Sequence, residues 1–250
     1  MKRWFGGLLS LALLCGAAAA VRAADAADAN AILDKAIQAM GGAEKLGKVK
    51  AVSWTSKGTL SIQGGENPVT FHVVGQGVDH RRQEFEGELG GNKVEGKFLL
   101  AGDKGSREFA GQKMDLDANG LADEKRHAYL ALLPVTLVPL KGKEYKLEAL
   151  AGEKINDKPA VGLKVTPPDG KEFRLYFDSE SGLPIKLAAK VAGFDGQETA
   201  EETTFSEYQE AGGIKYATKQ VSRRDGEPFL SLQVSEFKTL DQVDPKTFTE

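Results

Sequence analysis

Residues 171–192 read KEFRLYFDSESGLPIKLAAKVA. Phe173, Leu175 and Phe177 alternate with Glu172, Arg174 and Tyr176, a period of two that sends the first three to one face of a strand. Asp178-Ser-Glu-Ser-Gly182 has the composition of a tight turn. Ile185, Leu187, Ala189 and Val191 then alternate against Lys186 and Lys190. The segment predicts two antiparallel strands with one face buried and one wet.

The same pattern extends in both directions. Candidate strands lie near 50–63, 68–77, 79–89, 93–101, 106–115, 144–151, 160–166, 171–178, 184–192, 199–209, 214–224 and 228–237. They are separated by Gly, Asn-Pro or Asp-Gly punctuation, and nothing has the spacing of a strand–helix–strand crossover. So many short strands on short links predict a mainly β chain: a meandering antiparallel sheet, curled because such a sheet does not stay flat.

Two segments depart from the strand period. Asn30 can cap a helix to about Met40, with Ile32, Leu33, Ala36, Ile37 and Met40 on one face and Gly41-Gly42 ending it. Leu121–Leu133 reads as a helix, charged at first (Asp123, Glu124, Lys125, Arg126) and apolar later. Tyr129, Leu130, Leu132, Leu133, Val135, Leu137 and Val138 belong to the most apolar stretch after the leader, which Pro134 and Pro139 are expected to break. That stretch must lie against the sheet. Ordinary core is one reading of it, and the wall of a ligand cavity is the other.

The chain begins MKRWFGGLLSLALLCGAAAAVRA. Lys2 and Arg3, an apolar run over 8–20 and the small-residue end Val21-Arg22-Ala23 make residues 1–23 a secretory leader, with 24–29 a tether and 30–250 a single domain. Cleavage would remove the one cysteine, Cys15, and take the net charge from −3 to −6. That product has no possible disulfide, and its acidic balance argues against a nucleic-acid partner, which would call for a basic face. It fits a soluble periplasmic or secreted protein that does not span the membrane.

No catalytic constellation stands out. The three histidines, His72, His80 and His127, are not at metal-ligand spacing. Asp115-Leu-Asp-Ala-Asn-Gly120 has the oxygen pattern of half a calcium loop, but Arg126 stands where a glutamate ligand is needed, so the turn reads as a helix cap. Glu84, Glu86 and Glu88 alternate on one strand face rather than forming an acid–base pair. No catalytic residue, metal or cofactor is assigned, although a hydrolase built from distant carboxylates stays open as an alternative. Arg81 and Arg82 fall on opposite faces of a strand. Each is a solvated edge residue or a polar contact at a cavity mouth.

Several motifs resemble the LolA/LolB-like periplasmic proteins. They are Ala39-Met-Gly-Gly-Ala-Glu-Lys-Leu-Gly-Lys-Val-Lys-Ala-Val52, Arg174–Lys186, Phe205-Ser-Glu-Tyr208 with Gly212-Gly-Ile-Lys-Tyr216, and the hairpin signal Asp225-Gly226. The resemblance implies an incomplete β-barrel closed on one side by helices around an apolar cavity. It implies a non-enzymatic carrier of lipid or lipoprotein acyl chains, with a cavity arginine controlling cargo, for which Arg81 or Arg82 is the candidate. Residues 121–140 would then be the lid. A module of the same fold that docks on an envelope protein without lipid is the alternative.

Overall fold

The structure is a computed structural model that describes residues 28–62, 64–193 and 196–250. The expected leader and most of the tether lie outside the described residues. Thirteen strands form one antiparallel sheet. The first meander comprises β1 (Ala51–Ile62), β2 (Gly65–Gln76), β3 (His80–Leu89), β4 (Asn92–Ala101), β5 (Lys104–Phe109) and β6 (Gln112–Asp115). The second comprises β7 (Lys146–Ile155), β8 (Lys158–Thr166), β9 (Phe173–Asp178), β10 (Pro184–Ala192), β11 (Glu198–Ala211), β12 (Ile214–Arg224) and β13 (Glu227–Leu240). Strand β1 pairs with β13, which joins the meanders into one surface and leaves β6 and β7 as unpaired edges. The sheet is therefore an incomplete barrel.

The expected strand over 106–115 is two strands. Ala110 and Gly111 both have positive φ, 49° and 76°, and form a hairpin turn between β5 and β6. Alternation holds on β9, where Phe173, Leu175 and Phe177 are buried. It slips on β10, because a register shift between Pro184 and Lys186 takes Ile185 out of the inner row. Ile185 instead packs on the outer face with Ile155, Ala160 and Tyr176, so that face is not wholly wet.

Helix α1 (Ala29–Met40) buries the five apolar residues expected of it. Its cap is Asp28, whose carboxylate accepts from the Asn30 amide at 3.0 Å; Asn30 is not the cap. A short helix, α2 (Ala43–Lys48), leads into β1. Helix α3 (Ala118–Thr136) and a 3₁₀ turn (Val138–Lys141) connect edge β6 to edge β7. Asp117 caps α3 by accepting from the Gly120 amide at 2.8 Å, the role expected for that polar turn. Pro134 does not break α3 but sits in its last turn, where only one hydrogen bond is lost. Leu137, at φ 58°, ends the helix. The main core lies between α1, α3 and the inner face of β8–β10, β12 and β13.

Candidate functional site

Helix α3 holds two distant parts of the sheet. Glu124 accepts from Arg81 on β3 through Nη2 at 2.6 Å and Nε at 3.2 Å, and both side chains are only 7% exposed. Two residues along, Arg126 donates to the backbone carbonyls of Lys171 (2.9 Å), Glu172 (3.0 Å) and Lys190 (3.4 Å), the last on β10. Two residues of helix rise about 3 Å. Strands β3 and β10 are six places apart in the sheet, roughly 29 Å if it were flat. One helix can reach both only because the sheet curls around it. The inner face is thus concave, with α3 across its open side.

Beneath α3, Leu132 packs against Gly75 of β2, where any side chain would overlap it. Leu130, Leu132, Leu133 and Leu137 are all buried in the main core, and Tyr129, Val135 and Val138 are half-buried against it. Tyr129 stacks on Tyr145 and meets Phe173 edge-on. Burial pushes its phenol well above the ordinary value. His127 is also enclosed; burial first, then the charges of Arg81, Arg224 and Arg126, hold its imidazole down at about 4. Burial likewise lowers Arg126.

A cleft of about 40 Å³ remains beside the helix. Ala131, Pro134 and Val135 of α3 form one wall, and Trp54, Phe205, Tyr216 and Phe237 of the sheet form much of the other. Three of these rings stack: Tyr216 on Phe237 at 4.2 Å and Phe237 on Trp54 at 6.3 Å. Of the residues expected to touch ligand, only Val135 lines this cleft; the others pack into the core or its margin. The sheet aromatics were missed because each sits alone in a strand, without a run to mark it.

The two candidate arginines separate as alternation requires. Arg81 faces α3. Arg82 faces the opposite side, where it pairs with Glu84 at 2.6 Å and donates to the carbonyls of Thr247 (3.3 Å) and Glu250 (2.6 Å). It pins the C-terminal segment and has no access to the cleft. Among the described residues, no cluster of three or more His, Cys, Asp or Glu side chains is arranged to hold a metal.

An open antiparallel sheet wrapped around a helix that links its own two edges defines a helix-closed half-barrel. No family model and no curated protein matches the sequence. Solved structures match it in three dimensions. A LolA superfamily protein from Nitrosomonas europaea aligns with a TM-score of 0.57 at 14% identity, covering 89% of this chain and 97% of its own. A DUF1329 family protein from Desulfovibrio piger aligns at 0.53 and 12% identity, covering 88% and 96%. A domain described as outer membrane lipoprotein-sorting, from Vibrio parahaemolyticus, aligns at 0.53 and 11% identity, covering 88% and 97%. The chain has the LolA-like fold, a likeness carried by structure and not by sequence identity.

Proposed function

We propose that this protein is an exported, non-enzymatic binder of lipid or of lipoprotein acyl chains in the bacterial envelope, and that it binds them on the concave face beside α3. The observation that carries the reading is the aromatic cleft of Trp54, Tyr216 and Phe237 facing Ala131, Pro134 and Val135 of α3. Dispersion and area burial suit such a wall to an alkyl chain, at about 0.8 kcal/mol per buried CH₂. The lipoprotein-sorting description of one fold neighbour points the same way. Arg81, fixed by Glu124 at the helix, is the polar residue nearest in role to a cargo-control arginine. At about 40 Å³ the cleft is far below the roughly 300 Å³ of a small-molecule pocket. A chain must therefore enter from the open part of the face.

The test is native mass spectrometry of the protein purified from a periplasmic extract. Co-purifying lipid is the expected result; lipid-free protein that also takes up none from vesicles refutes the reading. The close filling beneath α3 by Leu130, Leu132, Leu133 and Leu137 favours a second reading, a solid module docking on an envelope protein. A stoichiometric protein partner recovered without lipid would establish that one instead.

A further inference from the structure

The concave face continues past the end of α3. Gly75 of β2 faces Leu132, and Gly105 of β5 faces Leu116 and Leu121, so residues an even number of places away look to the same side. Strand pairing then sets two rows across this face. One is Phe71, Phe85, Gly96 and Phe109; the other is Gln83, Phe98, Arg107 and Met114. The four phenylalanines form a connected strip, with ring centroids 6.2 Å apart for Phe71–Phe85 and for Phe85–Phe98, and 5.5 Å apart for Phe98–Phe109. None of them belongs to the main core.

Three observations say what the strip holds. Among the described residues, the two large apolar side chains left exposed are Phe109 (39%) and Met114 (47%), and both lie at its outer end. Its inner end is continuous with the cleft: Phe71 pairs with Ser56, which pairs with the cleft residue Val234. From β1 to β5 it spans four strand spacings, about 19 Å. Charge on the two faces is also segregated. Every carboxylate of β2–β6, from Glu66 to Asp115, projects from the opposite face. The concave face of these strands carries only Arg81, which Glu124 neutralises, and Arg107, exposed and with no ion-pair or hydrogen-bond partner among the described residues. A chain that is acidic overall has kept acid away from this strip.

We infer that the strip seats a single long-chain carboxylate, its tail lying on Phe98, Phe109, Phe85 and Phe71 toward the cleft and its head group on Arg107, one strand in from the sheet edge. This rests on the reading of the protein as an acyl-chain binder and names the class of chain and its place. A guanidinium binds a carboxylate through paired donors, while the tail needs only apolar area.

The test is calorimetric titration of the purified protein with palmitate and with hexadecanol, which has the same tail and no charge. Arg107→Gln should weaken palmitate about tenfold and leave hexadecanol unchanged. Phe109→Gln, at an exposed position where folding is tolerant, should weaken both, with an unchanged urea midpoint as the folding control. If wild type binds palmitate and neither substitution alters it, the strip is not the site, while acyl-chain binding stands. If the phenylalanines matter only for stability, covering Gly96 as aromatic neighbours of sheet glycines do, the urea midpoint falls and palmitate binding does not; the inference is then overturned. Wild type that binds neither ligand and carries no lipid from the periplasm overturns both readings.

Discussion

The Arg81–Glu124 pair offers the sharpest test of how α3 is held. Both side chains are 7% exposed, and one carboxylate oxygen takes both hydrogen bonds. An exposed ion pair contributes about 0–1 kcal/mol. Removing one partner of a buried pair leaves a charge without water or a counter-charge and costs about 3–5 kcal/mol. Arg81→Met and Glu124→Leu should each fall in that larger range. The double substitution, which restores an apolar contact between β3 and α3, should cost less than either single change. Trp54, one of two tryptophans in the chain, lines the cleft beside α3, so its fluorescence in a urea titration reports on the docked helix. Single changes that cost less than about 1 kcal/mol would mean that the pair is solvated. Additive losses in the double variant would mean that the two residues act separately.

Acid should loosen the same region. His127 is held at about 4, below its ordinary 6.5, so the unfolded chain binds the proton first; stability is full above about pH 6.5 and falls toward pH 4, by about 3 kcal/mol at that end. Urea midpoints from pH 7 to 4.5 should drop more steeply in wild type than in His127→Leu, and equal slopes would dismiss the effect. Leu133→Ala, at a fully buried position of α3, should cost about 2–5 kcal/mol in chemical denaturation. Asp117→Ala removes the α3 cap and should cost about 1 kcal/mol, whereas Asp117→Asn, which caps equally well, should cost little.

Strand periodicity was legible because each strand buries one face, and the residues that obey it are the residues the core uses. What escaped was local geometry that a period cannot encode. Ala110 adopts a left-handed turn conformation without being a usual turn residue, so two short strands read as one. The slip at Pro184–Lys186 moved Ile185 to the other face, since a single extra residue reverses every side chain beyond it. Opposite faces for Arg81 and Arg82 followed from alternation alone. Their partners did not, because Glu124 lies on the helix and Thr247 and Glu250 lie at the end of the chain. Glu124 and Arg126 belong to the charged start of the helix and are nevertheless both buried, which the curl of the sheet explains. The pairing of β1 with β13 was equally invisible, because an apolar alternation names a face and not a neighbour.

The apolar stretch over 129–138 drew attention as a ligand wall, yet energetics favour the face beyond it. Displacing α3 would expose Leu130, Leu132, Leu133 and Leu137. At about 1.5–3 kcal/mol for each side chain, that costs roughly 6–12 kcal/mol before the Arg81–Glu124 pair is touched. Burying about fourteen methylenes of a palmitoyl chain contributes about 11 kcal/mol, so a ligand that took the place of the helix would keep at most about 5 kcal/mol of that gain and at the upper end none. A chain laid along the half-buried Phe71, Phe85 and Phe98 and the exposed Phe109 covers only the part of their surface that already meets water and leaves the leucines where they are. The helix fills one part of the concave face and ties β3 to β10, and the proposed ligand would use the part the helix does not reach. On that account palmitate should raise the urea midpoint without undocking α3, and Leu133→Ala should lower stability far more than it lowers palmitate affinity.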